Sequence, residues 1–354
     1  MSELAYDNRA AEIHAGLHNR DRAARAFRSK KEERRYWILL ITLIAFGVLA
    51  SYGLLVYENP VPVDSPSFLP VVRRRMVALV AMLISAVCQS LATVVFQSST
   101  NNRIITPSLL GFEALYSTIH TSTIFFFGAT VFIRFSGGIE SFIFQTVVMV
   151  VMCLILYGWL LRGKYGNLQL MLLIGVVIGT GLRSVSSFMR RLLAPSEFDI
   201  LQSRLFGSVS NAKAEYFPVA IPIIIVTAIL ILAYSKKLNV LSLGKSASTA
   251  LGVNHQAGVM YALVLVSVLM SVSTSLVGPL TFFGFLVATM TYQAAPTYDH
   301  RYIFPMALAI GFLVITCAYF FMYHVFRAQG VVSIIIEMFG GVVFLIVLLR
   351  KGSL

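Results

Sequence analysis

Residues 36–57 read YWILLITLIAFGVLASYGLLVY, a run without a single charged side chain. Coiled as a helix it rises about 33 Å at 1.5 Å per residue, enough to cross a hydrocarbon core of about 30 Å. Barrel strands alternate in polarity over about 10 residues, and this run does not. It opens on Tyr36-Trp37 directly behind Arg34 and Arg35, so two aromatic rings stand where a basic segment meets the membrane surface. A cleaved signal peptide has a shorter apolar core and a small-residue cleavage site. Residues 1–35 are therefore expected to be a cytoplasmic basic leader, and 36–57 a retained first span.

The same apolar length recurs along the 354 residues. Charged side chains make up 12% of the chain, about half the share in a soluble domain, and the mean hydropathy is +0.82. The fold class that follows is all-α and polytopic. Ten membrane segments are expected, at roughly 36–57, 76–97, 108–133, 142–161, 168–189, 216–235, 257–277, 282–295, 303–323 and 331–349. Ten crossings from an inside start return the carboxyl terminus to the inside, where Arg350 and Lys351 follow the last span, so both termini are expected to be cytoplasmic. Arg162, Lys164, Lys236, Lys237, Lys245 and Arg301 then fall in the other cytoplasmic connections, as the positive-inside rule asks. Residues 36–354 form one transmembrane domain with a cytoplasmic loop at 236–256. Much of the net charge of +13 sits in the leader beside the membrane, so it is assigned to topology and anionic headgroups and not to nucleic acid. Three outward features run against the rule: the cluster Arg73, Arg74 and Arg75, the long loop 190–215, and Arg327.

Charges inside the segments are few: Glu113, Arg183 and Glu337. Each is costly in hydrocarbon and is expected to face the bundle interior, a watery cavity or the headgroups. The eighth segment, LTFFGFLVATMTYQ, is short, follows Gly278-Pro279 and contains Gly284; backbone groups freed by such residues must be buried in protein or face a watery path, which places it inside the bundle. Gly175, Gly179, Gly181 and Ser184 in the fifth segment have the spacing that lets helices approach closely. Signatures of catalysis are missing: there is no HExxH, CxxC, GxSxG or DFG. Cys88, Cys153 and Cys317 lie in separate apolar runs, and His14 with His18 lies in the polar leader, where solvation is the simpler reading. No catalytic residue, metal site or cofactor is expected.

The stretch LNVLSLGKSASTALGVN, 238–254, contains the Gly-Lys-Ser that closes a phosphate-binding loop. Such a loop needs a glycine five positions before the second one, and that position is Asn239. Read without that motif, the stretch is a compact helix of small residues opened by Gly244 and closed by Gly252 as a C-cap, held on the cytoplasmic side by Lys236 and Lys237. A short, mostly uncharged helix between two spans suits a partner's groove.

Leu243, Gly244, Ala247, Leu251, Gly252 and Val253 match the "LG…A…LGV" element of the FecCD-type family, the permease subunits of ABC importers for iron-siderophore complexes, haem and cobalamin. Further matches follow the family's order: Gln97 with Asn102, Pro107, Leu109, Leu110 and Gly111; Gly278, Pro279 and Gly284; Asp299, His300, Arg301 and Pro305; and Gly340. These four ordered motifs cover about 270 residues, and the chain is identified as resembling that family. It departs from the commonest pattern at Arg103, where the family has a proline, and at Ala288 and Thr289, where it has Pro-His. TNNRIITPSLLGFEALY and APSEFDILQSRLF resemble the branch found with ferric catecholate-type siderophore importers.

The resemblance implies two permease subunits, identical or related, around a central path, with two ABC ATPase subunits below and an extracytoplasmic siderophore-binding protein on the outer face, in a bacterial cytoplasmic membrane. It assigns ATPase coupling to Leu243, Gly244, Ala247, Leu251, Gly252 and Val253. It assigns binding-protein docking to Arg73, Arg74 and Arg75, with Arg327 as a further candidate, and the translocation path to Gln97, Asn102, Glu113, Gly278, Pro279 and Gly284. The expected function is passage of a ferric siderophore, driven by a separate ATPase. Read from the residues alone, Glu113, Arg183 and Glu337 also fit the coupling charges of an ion- or proton-driven secondary transporter. A membrane-embedded enzyme is disfavoured, since His, Asp and Glu do not cluster within the spans.

Overall fold

The computed structural model describes residues 26–57, 66, 68–135, 137–162, 168–325 and 332–351. The leader before Ala26, with its histidine pair, lies outside them, as do Lys164 and Arg327. Among the described residues the chain is helical throughout, with no strand. The helices are α1 (Lys30–Val56), α2 (Phe68–Ser99), α3 (Phe112–Phe135), α4 (Ile139–Arg162), α5 (Leu168–Arg191), α6 (Pro195–Leu205), α7 (Phe217–Leu241), α8 (Lys245–Ala250), α9 (His255–Val277), α10 (Phe283–Ala294), α11 (His300–Phe320) and α12 (Val332–Lys351). Each of the ten expected segments falls on one of them, and the two remaining helices, α6 and α8, lie in the two longest connections. Among the described residues six stretches are long and apolar enough to cross a membrane: Lys30–Val56, Phe68–Ser99, Leu170–Arg191, Ala214–Leu241, His255–Val277 and His300–His324.

The expected boundaries shift where local chemistry favours continuation. Six residues assigned to the leader belong to α1, because Ser29 caps it by accepting from the Glu32 amide at 3.2 Å. At about 48 Å, the 32-residue α2 is longer than the hydrocarbon is thick, so Arg73–Arg75 ride on the helix itself and not in a loop. α7 runs on to Leu241 and carries Lys236, Lys237 and Asn239, leaving only residues 242–254 between α7 and α9. α3 begins after a 3-10 turn at Pro107–Leu110 and is broken at Gly128, whose φ of 76° is non-helical.

Lipid tails are as apolar as leucine, so helix association within a bilayer relies on close packing and hydrogen bonds. α2 and α9 form the centre; in their most apolar stretches 78% and 72% of residues are buried, against 22% in α1. Both helices bury small and hydroxylated side chains: Ser85, Ser90 and Thr93 on α2, Ser267, Ser271, Ser273 and Thr274 on α9. Gln89 Nε2 reaches across to Ser273 Oγ at 3.4 Å. The 12-residue α10, with a rise of about 18 Å, is too short to cross alone. It lies against α2 and α11, where Gly284 meets Thr93 so closely that an added Cβ would overlap the Thr93 hydroxyl. Gly311 of α11 does the same with Ser90.

Candidate functional site

One end of the bundle gathers the start of α1, the ends of α2, α7 and α10, the start of α11, and α8. α8 is bounded by two glycines with positive φ, Gly244 at 91° and Gly252 at 78°. The φ and ψ of Gly244, 91° and 173°, lie in a region that essentially only glycine occupies. The segment also closes on itself: Val253 N donates to Ser248 O at 3.0 Å, and Ser248 Oγ lies 2.8 Å from His255 Nδ1. Ser248 is turned inward and buried, while Leu243 and Leu251 are exposed beside Lys245, Ser246 and Thr249. Leu243 is 60% exposed and Leu251 62%; Ala247 is half-buried between them. The two exposed leucines flank the six-residue helix, one at each end.

Beside α8, Asn239 on the last turn of α7 makes a junction of three helices. Its Nδ2 donates to Asp299 Oδ1 at 3.1 Å, and its Oδ1 accepts from the His300 amide at 3.0 Å and from His300 Nδ1 at 2.5 Å. An amide oxygen can only accept, so Nδ1 carries the proton and Nε2 accepts from Ser98 Oγ, 2.6 Å away on α2. Asp299 also receives Arg301 Nε and Nη2 at 2.9 and 2.6 Å. Burial alone would raise the Asp299 carboxyl, but the hydrogen bonds from Arg301 and Asn239 outweigh it and hold it below the ordinary value. The junction lines a cavity of about 530 Å³ that opens next to Leu243.

Gln97 and Asn102, both expected on the translocation path, stand at this same end and shape the turn after α2. Gln97 Nε2 donates to Arg103 O at 2.8 Å, and Asn102 Oδ1 accepts from Ile104 N at 2.9 Å. The other four path candidates form a separate neighbourhood. Gly278, with φ 86°, ends α9 where its Cα side meets Gly207, and a Cβ there would come to 3.1 Å from the Gly207 Cα. Pro279 follows it, and Gly284 begins the packing of α10 on α2. Between them the Thr281 hydroxyl, in the turn before α10, lies 2.6 Å from Glu113 Oε2 on α3 and 3.3 Å from Glu337 Oε1 on α12. Two of the three intramembrane charges thus meet at one hydroxyl, and Arg183 stands exposed on α5. Sequence reasoning named both carboxylates but not Thr281, since nothing in its surroundings marks a bridging threonine.

At the opposite end the arginine cluster divides. Arg75 Nη1 turns back to the last carbonyls of α1, reaching Leu54 O at 3.1 Å, Leu55 O at 3.0 Å and Tyr57 O at 3.2 Å. Arg73 and Arg74 point outward and line a groove with Leu69, Pro70 and Val77. The loop 190–215 contains α6, whose Glu197 Oε2 accepts from the Ala194 amide at 3.3 Å behind Pro195 at the first helical position.

The model of the FecCD transport family matches residues 37–350. The petrobactin import system permease protein FatC of Bacillus anthracis is 70% identical over the full length of both chains. The petrobactin import system permease protein YclO of Bacillus subtilis (strain 168) is 32% identical, covering 88% of this chain and 96% of its own. Among solved structures, an ABC transporter assigned to the metal-chelate type, in an inward-facing conformation, superposes with a TM-score of 0.73 at 18% identity, over 88% of this chain and 99% of that one. With a family match over nearly the whole length and a relative that aligns end to end, the chain belongs to the FecCD transport family.

Proposed function

We propose that this chain is the permease subunit of a bacterial ABC importer that carries a ferric siderophore across the cytoplasmic membrane, with ATP hydrolysis left to a separate subunit. The reading is carried by the end-to-end identity of 70% with a petrobactin import permease, which makes ferric petrobactin the first ligand to test. The assembly has two permease subunits, identical or related, two ATPase subunits and an extracytoplasmic binding protein. The ten membrane segments are α1–α5, α7 and α9–α12, the short α10 crossing only together with the turn that leads into it, with both termini in the cytoplasm. The α8 end then faces the cytoplasm, an orientation supported by Lys236, Lys237, Lys245 and Arg301 at that end.

In this reading Leu243, Gly244, Ala247, Leu251, Gly252 and Val253 form the contact with the ATPase, supported by the exposure of both leucines. Closure of the ATPase pair reaches the path as a rigid shift, because the Asn239–His300–Ser98 junction ties the α8 segment to α2 and α11. Gly278, Pro279, Gly284 and the Glu113–Thr281–Glu337 group belong to the path region, with Gln97 and Asn102 at its inner end. Arg73 and Arg74 dock the binding protein; Arg327 is a further candidate beyond the described residues.

The test is uptake of radiolabelled ferric petrobactin into vesicles carrying the reconstituted importer. Uptake is expected to require ATP and to survive an uncoupler. Replacing Gly244, Ala247 and Leu251 with bulky charged residues should remove both ATPase co-purification and uptake. Normal uptake and co-purification in that variant would sink the coupling assignment, and uptake that follows the proton gradient would sink the ABC reading.

A further inference from the structure

The 530 Å³ cavity beside α8 has chemistry that the exposed leucines do not explain. Arg103 lies at its edge with the guanidinium carbon 4.5 Å from the centre of the Tyr292 ring. Such a stack orients the cation without neutralising it. Two arginines and one aspartate line the cavity, but Asp299 is already committed: Arg301 binds it at 2.6 Å, and Asn239 takes its other oxygen. Among the described residues, ion pairs join only Lys213 with Glu215 and Arg301 with Asp299, so no carboxylate compensates Arg103. Around it stand Tyr298, 74% exposed, and Leu243. An oriented arginine and an exposed tyrosine around a concavity match the composition of protein interface hot spots, where Arg and Tyr are enriched, and Leu243 adds apolar surface at the mouth.

We infer that this cavity is a second docking element for the ATPase subunit, taking an acidic side chain from that subunit onto Arg103 while Leu243 and Leu251 make the apolar contact. The inference rests on the reading that a separate ATPase subunit docks at α8. Charge complementarity selects the occupant: the uncompensated charge is positive, the rim is aromatic and apolar, and the mouth is continuous with α8 through Leu243. The position is also one where this chain departs from its family, with Arg103 standing in place of a proline. The pocket therefore sets which ATPase this permease accepts, since a partner lacking the acid would leave Arg103 facing an unmatched surface.

The experiment uses the full importer complex in nanodiscs of neutral phosphatidylcholine, with a photo-crosslinking residue at Tyr298. The expected result is a crosslink to an acidic segment of the ATPase subunit, and a loss of ATPase affinity of tenfold or more in Arg103→Glu. Arg103→Gln should lose less, and Arg103→Lys should retain most binding with a steeper salt dependence. A crosslink to lipid alone, or unchanged affinity in Arg103→Glu, overturns the inference. Leu251→Glu separates the two readings: if it releases the ATPase while Arg103→Glu does not, the cavity assignment fails alone. If neither variant affects association, docking at α8 fails with it.

Discussion

Replacing Arg75 with alanine should loosen the end of α1 and leave the outer surface otherwise intact. The last carbonyls of a helix have no intrahelical partner, and Arg75 Nη1 reaches three of them within 3.2 Å. One Nη carries two protons, so three acceptors share two hydrogen bonds. A bond from a charged donor contributes about 1.5–3 kcal/mol when well buried; at this half-exposed site about 1 kcal/mol each is a fair figure, or about 2 kcal/mol in all. For local opening that corresponds to roughly thirty-fold faster amide exchange. Hydrogen exchange read by mass spectrometry on the peptide covering the last two turns of α1 measures this directly. Arg73→Ala and Arg74→Ala, whose side chains point away, should change exchange there less than twofold. Arg75→Lys should recover part of the protection, because an ammonium keeps the charge but reaches fewer carbonyls. Unchanged exchange in Arg75→Ala, together with lost stimulation by the binding protein, would refute the geometric argument and return Arg75 to the docking surface.

Two further substitutions probe the interior. Gly284→Ala places a methyl group on the Thr93 hydroxyl, so folded yield and thermal stability of the purified protein should fall by the equivalent of about 1–3 kcal/mol. Thr93→Ala in the same chain should recover most of the loss, and failure to do so would mean that α10 does not approach α2 there. His300→Ala removes one partner of the buried Ser98 hydroxyl, which also meets Tyr292, and one bond from Asn239, at a cost of about 1–3 kcal/mol. Adding Ser98→Ala should cost little more, and a fully additive double-mutant cycle would contradict the direct bond.

The bundle could be read from the chain because the long helices carry apolar stretches with few charges, and in a bilayer that length has one good outcome. The α8 segment was legible for a different reason: its glycines bracket small residues within a few positions, so the motif is local. Arg75 was not legible, since nothing in Val71–Val77 says whether a guanidinium points to solvent or folds back on a helix twenty residues earlier. The Asn239–His300–Ser98 junction was hidden for the same reason, its members lying 61 and 202 positions apart. Asn239 had drawn notice only as the residue that spoils a phosphate loop, whereas its side chain holds α7 to α11. α6 was missed although its signals were present, Pro195 at the first position and Glu197 two residues on, because a polar connection between spans was read as a loop.

Because its internal hydrogen bonds satisfy the backbone between Gly244 and Val253, the segment linking α7 and α9 behaves as a detachable cassette. Both of its pivots are glycines with positive φ, a conformation most side chains disfavour, while Leu243, Lys245, Ser246, Thr249 and Leu251 are exposed. On the proposed coupling role, exchanging these surface residues together with Arg103 would retune which energy-supplying subunit the permease accepts. The same separation makes residues 242–254 a natural unit for grafting between permeases, provided both glycines travel with it.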